Sequence, residues 1–304
     1  MAKEVEIYEG RPVFEATCWD ELSRAEDEYI KDHGKNYDSL VVKVPEGTIT
    51  IKDEAFSGYK NIGIVLLPET LTEIGDNAFY GCLALEHAVI PRSVTKIGYM
   101  AFADCIRLIE INIPENVRWI DNDAFDNCQS LSRIEVGSQN KIYDSRQGCN
   151  AIIKTDTNTF MKGCGNTVIP DSVTEIYYSA FNGCKGLKRI HIPDSVIKIN
   201  SDAFSGCINL KSAELSQSIT VIASRVFANC ISLANIKIPD SVWQVGIESF
   251  CGCKKLKKVV FPKDIKQVLW RAFEDCDALE TVYIKDPALL EKAGIIHHIE
   301  IITT

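Results

Sequence analysis

Twelve cysteines are the residues of this 304-residue chain best suited by type to do chemistry, as nucleophiles, redox pairs or metal ligands. Eight of them, Cys82, Cys105, Cys128, Cys184, Cys207, Cys230, Cys253 and Cys276, sit three residues after a phenylalanine, and Tyr59 takes that place once. If the units carrying them stack, neighbouring thiols lie about one strand spacing apart, a separation that a disulfide tolerates. Their Cβ vectors would run parallel, however, and each interior member has two equivalent neighbours, so no pairing is specified. Reduced thiols buried in a core are the expectation, and with them a reducing compartment. Cys251-Gly-Cys253 has the spacing of a metal pair, but Cys253 belongs to the series, no second pair with zinc-type spacing exists, and His297-His298 lies far along the chain. No metal and no cofactor are expected. The five histidines show no catalytic spacing, and there is no G-x-S-x-G, P-loop or dinucleotide fingerprint, so the sequence does not read as an enzyme.

The elements that carry these cysteines repeat. Phenylalanines fall at Phe56, Phe79, Phe102 and Phe125, then at Phe181, Phe204, Phe227, Phe250 and Phe273, each 23 positions after the last inside its series. A fixed period of this length marks a solenoid. Read from the Phe, a unit is A-F-x-x-C-x-x-L-x-x-I-x-I-P-x-S-V-x-x-I, spelled out by Ala101, Phe102, Cys105, Leu108, Ile111, Ile113, Pro114, Val117 and Ile120, with Asn116 in the Ser place. No unit can close a core alone, because each large apolar position occurs once per coil; stacking is what buries it. The L-x-x-I-x-I stretch alternates at its end and predicts a short strand, which Pro terminates because it has no N–H for a ladder. Equivalent strands must then pair in parallel. The Pro-x-Ser-Val stretch suits a turn, and the A-F-x-G-C corner has room for one helical or 3₁₀ turn.

These units resemble the leucine-rich repeats of the BspA-like type, found in bacterial surface proteins and some parasitic protists, over roughly Val41 to Ile284. The resemblance implies a leucine-rich-repeat solenoid: a right-handed curved rod with one parallel β-sheet on its concave face and short helical or 3₁₀ turns elsewhere. It also implies use in protein recognition, often in adhesion to host components, and no enzyme activity.

The expected organisation is an N-terminal cap over residues 1–40, a repeat solenoid over 41–285 with an irregular long unit at 137–170, and a C-terminal cap over 286–304. Trp19, Leu22, Ala25 and Tyr29 recur at near-helical spacing and predict a capping helix over 17–33, closed by Gly34. Asp286 to Ile295 reads as a short terminal helix, and Ile299 to Ile302 as a last strand. Between Phe125 and Phe181 the step exceeds two coils by ten positions, with the extra material in Tyr143 to Cys164. Ala151 to Thr155 and Thr159 to Lys162 suit a hairpin across Asp156-Thr157-Asn158. Two readings of it stand: a bulge tolerated in one coil, or a projecting recognition element.

The formal charge of −9 argues against a general nucleic-acid binder and against an anionic membrane surface. No stretch approaches the length of a membrane span, and MAKEVEIYEG has no apolar leader core, which places the chain as written in the cytoplasm; a removed signal peptide would place it at the surface or outside. Residues eight and ten after each Phe should point outward from the concave sheet. In the later coils this face and its flank collect Lys188, Arg189, His191, Lys211, Asn235, Lys237, Lys257 and Lys258, a basic tract on an acidic protein. In the early coils it holds Ile64, Leu66 and Val89, an apolar secondary contact. The reading is a recognition module that holds a protein partner with an anionic surface, a host or cell-surface protein included, on the concave face. The other reading is a spacer or assembly scaffold whose faces bind nothing specific.

Overall fold

A computed structural model describes residues 7–33, 38–295 and 299–303. The chain is a β-solenoid built of parallel ladders, divided into two compact units, residues 1–144 and 145–304.

In the first unit Ile7–Tyr8 pairs antiparallel with Arg11–Glu15, and from there the ladder is parallel through Leu40–Lys43, Ile62–Leu66 and His87–Ala88. Glu110–Ile113 pairs in parallel with Arg133–Val136, each residue facing its equivalent one coil on. Along Glu110–Ile113 the pleat turns Ile111 and Ile113 into the core and Glu110 and Asn112 to solvent. In the second unit the equivalent ladder runs Arg189–His191, Ser212–Glu214, Asn235–Ile236, Lys258–Val260, Thr281–Tyr283 and Glu300–Ile302. Each coil also contributes a two-residue strand after the Pro turn. These form a second parallel ladder, Thr50–Ile51 to Trp119–Ile120 in the first unit and Val221–Ile222 to Gln267–Val268 in the second. The sequence pattern showed only the single Ile of each such strand, too little to separate it from the turn.

Two hydrogen-bonded turns close the coil. At the first, the N–H of Val117 reaches the carbonyl of Pro114, and Val94, Val173, Val196 and Val242 repeat the contact. At the second, the N–H of Cys82, Cys105, Cys184, Cys207, Cys230 and Cys253 reaches the carbonyl of the Phe three residues before it, an i+3 bond of the 3₁₀ kind. The same corner bonds the next coil: the Phe204 N–H reaches the Val226 carbonyl at 2.9 Å, and the Gly206 N–H reaches the Ala228 carbonyl at 2.8 Å. This needs left-handed backbone on both sides of the Phe, as at Asp202 (φ 59°) and Gly206 (φ 71°). Inside the turns the Phe rings lie face to face, with centroids 5.2–5.5 Å apart from Phe56 to Phe125 and 4.9–5.5 Å apart from Phe160 to Phe273.

At the N-terminal end a helix covers Trp19–His33. Thr17 donates its N–H and hydroxyl to Glu21 at 2.7 and 2.8 Å, and Leu22 is buried. Tyr59, the residue that stands in the Cys place of the first repeat, sends its hydroxyl to the Glu26 carboxylate on this helix. Gly34 and the side chains of Trp19 and Tyr29 lie outside the described residues. Near the other end Pro287–Leu290 forms a 3₁₀ turn capped by Asp286. Glu300–Ile302 then adds the last strand, Glu300 facing Thr281 across a step shorter than a full coil.

The insertion is a hairpin, Ala151–Lys154 against Thr159–Gly163, but it is neither a bulge nor a projection. Its second strand pairs in parallel with Glu175–Ile176, and Ala151, Ile152, Ile153 and Phe160 are buried. The ring of Phe160 stacks on Phe181 at 5.1 Å and so begins the Phe column of the second unit. The added length is accommodated because the hairpin itself supplies a coil face. Deleting a buried Phe costs about 3–5 kcal/mol, so replacing Asn150 to Lys162 by a short Gly-Ser linker is expected to broaden urea unfolding followed by circular dichroism and to lower its midpoint. A sharp, unshifted transition would return the hairpin to the periphery.

Candidate functional site

The thiols are the side chains most able to react, and the fold disarms them. Cys82, Cys105, Cys128, Cys207, Cys230, Cys253 and Cys276 are buried, and each donates its S–H to the carbonyl of the Phe 26 residues earlier, at 3.1–3.3 Å. Burial pushes the Cys82 thiol up to about 12 and the Cys184 thiol to about 11, and it holds Cys105, Cys207 and Cys230 well above the ordinary value. A thiol that stays protonated is a poor nucleophile and a poor metal ligand. The twelve cysteines are thiols rather than disulfides. Cys253 is turned into this ladder while Cys251 is half-buried beside it, so the Cys251-Gly-Cys253 pair does not converge on one point. His297 and His298 lie outside the described residues. Among the described residues no group of three or more His, Cys, Asp and Glu is placed to hold a metal ion, and no helix is long and apolar enough to cross a membrane.

On the outer face of the first ladder the two units differ. In the first unit the cations have acidic partners: Arg11 and Arg107 both reach Glu86, His87 lies 4.0 Å from Glu110, and Arg133 lies 2.9 Å from Glu135. The Arg11 guanidinium holds the Glu86 carboxyl below its ordinary range. Ile64 is not available there as a contact. It is 5% exposed, packed with Val13 and Val41, with Leu66 half-buried against them; only Val89, at 70%, is open. Leu40-Val41-Val42 and Ile64-Val65-Leu66 are unbroken apolar runs, and such runs mark strands covered on both faces.

In the second unit Lys188, Arg189, His191, Lys211, Asn235, Lys237, Lys257 and Lys258 are all exposed. The ladder register places Arg189, Ser212, Asn235, Lys258 and Thr281 in one column. Backbone bonds from Lys211 to Lys188, Ala234 to Lys211 and Lys257 to Ala234 line up a second column beside it. His191 is 3.0 Å from Glu214 in the next coil, and the Lys258 ammonium sits 4.3 Å over the Tyr283 ring. Among the described residues no carboxylate comes within 4.0 Å of Lys188, Arg189, Lys211, Lys237, Lys257 or Lys258. The cations do not crowd strand against strand throughout, because Ser212 and Asn235 separate Arg189 from Lys258. At the head of this face Thr167, Val168, Arg189, His191, Ser212 and Glu214 line an open depression of about 500 Å³.

The repeat itself decides the kinship. The family model for the BspA type leucine-rich repeat region, in six copies, matches residues 35–150 and 154–286. The chain belongs to the BspA-type leucine-rich repeat family. No curated protein matches the sequence. Among solved structures, a leucine-rich cell surface protein of Faecalibacterium prausnitzii is similar at 24% identity, with 86% of this chain and 92% of that chain covered and a TM-score of 0.54. The pneumococcal vaccine antigen PcpA is similar at 17% identity, covering 87% and 79%, with a TM-score of 0.66. A leucine-rich repeat protein of Eubacterium ventriosum gives 19% identity, 94% and 90%, and 0.59. At these identities the likeness is one of fold.

The thiol ladder of this BspA-type repeat has a measurable pH signature. Unfolded thiols ionise near their ordinary value of 9, whereas the folded Cys82 thiol holds its proton to about 12. The raised folded value means that the contribution is complete below pH 9 and is lost as the pH rises toward 12. Each such thiol makes stability fall by about 1.4 kcal/mol per pH unit in that window. Replacing Cys207 and Cys230 together by Ser, which keeps a donor and removes the titration, is expected to flatten the fall in urea-unfolding free energy above pH 9 relative to the parent. Parallel curves would show that these thiols ionise within the fold.

Proposed function

We propose that the chain is a non-enzymatic interaction module that holds a protein partner on the outer face of the first ladder in the unit of residues 145–304. The observation that carries this reading is the set of exposed cations, Lys188, Arg189, Lys211, Lys237, Lys257 and Lys258, for which no described carboxylate lies within ion-pair distance. On the second ladder, by contrast, two cations are charge-matched across one coil, Lys96 with Glu73 at 2.6 Å and Lys198 with Glu175 at 2.8 Å. Unmatched like charges on a protein of net charge −9 cost a little stability and are relieved by an anionic surface. Flat, open sheet faces suit protein recognition better than they suit catalysis, which needs an enclosed site.

The similarity to a protein described as a leucine-rich cell surface protein supports a place at the cell surface or outside the cell. The thiols do not oppose it: shielded and protonated, they resist oxidation without help from a reducing compartment. Changing Arg189, Lys237 and Lys258 together to Glu is expected to leave the thermal midpoint unchanged or slightly raised. The same change should weaken capture of partners from extracellular host proteins and from lysate, in a salt-sensitive way. Equal capture by variant and parent at low salt would make the tract a solvated face and favour the spacer reading.

A further inference from the structure

Five of the six unmatched cations fall into two groups, and Lys237 stands between them in the outer column. Lys188 and Arg189 share a coil, and Lys211 is held beside Lys188 by the 2.9 Å bond from its own N–H to the Lys188 carbonyl. Lys257 and Lys258 share another coil, three strand steps from Arg189 through Ser212 and Asn235. At the ordinary strand spacing Arg189 and Lys258 are roughly 14 Å apart, as are Lys188 and Lys257, and Lys211 stands one step inside that span. Between them stand Ser212, Asn235 and Ala234, and in the outer column Glu214, whose side chain is 76% exposed and meets His191, precedes Lys237 by one coil.

We propose that this face takes an extended acidic polypeptide segment whose carboxylates come in two clusters roughly 14 Å apart, one on Lys188, Arg189 and Lys211 and the other on Lys257 and Lys258. The inference rests on the reading of this face as the binding surface and adds the charge pattern of the partner. A uniformly charged chain, such as a sulfated glycan, would gain most from an unbroken line of cations and would bring anions over Glu214. A polypeptide meets the middle differently: its amides can bond the Ser212 hydroxyl and the Asn235 amide, both exposed in one column. The cationic groups also differ in character. Arg189 offers a planar fork for a bidentate carboxylate, and the Lys258 ammonium is steadied 4.3 Å over the Tyr283 ring, which reduces the entropy lost when it is engaged.

The test uses the whole protein and labelled synthetic peptides, read by fluorescence anisotropy at low salt. One peptide carries two Glu pairs separated by two neutral residues, so that the pair centres lie about 13–14 Å apart when extended. A second carries the same four Glu contiguously, a third has about six neutral residues between the pairs, and a heparin fragment of comparable charge completes the set. The expected result is that the first peptide binds about tenfold more tightly than the others. The Lys188→Glu/Arg189→Glu variant and the Lys257→Glu/Lys258→Glu variant should each erase that preference. Binding that both variants weaken but that is indifferent to spacing, or is tighter for heparin, overturns the two-cluster inference and leaves the binding face standing. No binding of any probe at low salt overturns both.

Discussion

One stacking interaction sets the rest. Each regular coil adds one Phe ring to the column, and inside the column neighbouring rings cover its two faces at about 5 Å, as Phe181 and Phe227 cover Phe204 at 4.9 and 5.3 Å. The thiol that follows the next Phe in the column gives its S–H back to the carbonyl of the Phe before, as Cys230 does to Phe204 at 3.2 Å. Ring contact fixes the distance between coils, and the thiol, with the corner amides, fixes their rotational register. A hydrocarbon side chain in the Cys place would fill the space and leave that carbonyl with one partner fewer. Tyr59 shows the same logic at the start of the series, where the side chain turns instead to Glu26 on the helix Trp19–His33.

This inward arrangement leaves the outward positions free to vary. In Arg189–His191 only Ile190 serves the core, so Arg189 and His191 carry no packing duty. The second ladder matches charge across coils, Glu175 with Lys198 and Glu73 with Lys96, so that it gains a little from its outer face. On the outer face of the first ladder in residues 145–304 His191 meets Glu214 in the same way, but Arg189, Lys237 and Lys258 have no carboxylate within 4.0 Å among the described residues, at a small electrostatic cost. Ions of this kind contribute more to association rate and specificity than to fold.

The repeat was legible because its spacing is unvarying: from Phe79 onward the Phe, Cys and Leu of each regular coil fall where the pattern places them and are buried. Phe160 was not legible. It stands two positions short of a full coil before Phe181, lacks the preceding Ala, and has Gly163 where the series has Cys, so the sequence offers it as a residue of a hairpin strand and not as a member of the column. Only the ring stack shows its role. Ile64 was misassigned for a different reason: strand parity gave its face correctly, but parity does not say whether a face is covered. The neighbouring run Leu40-Val41-Val42, apolar at every position, carried that information. The basic tract was legible as composition, whereas its division into two groups depended on register, which puts Ser212 and Asn235 between Arg189 and Lys258.

The solenoid depends on the Phe–Cys column being a shared core rather than a row of independent contacts. Phe204 is its clearest member, wholly buried between Phe181 and Phe227 and bonded through its carbonyl to Cys230. Urea unfolding of Phe204→Ala against the parent measures it directly. A loss of about 3 kcal/mol or more is the result expected for a cavity that neighbouring coils cannot close; a loss below about 1 kcal/mol, within the range of ordinary surface substitutions, would contradict the stacked register.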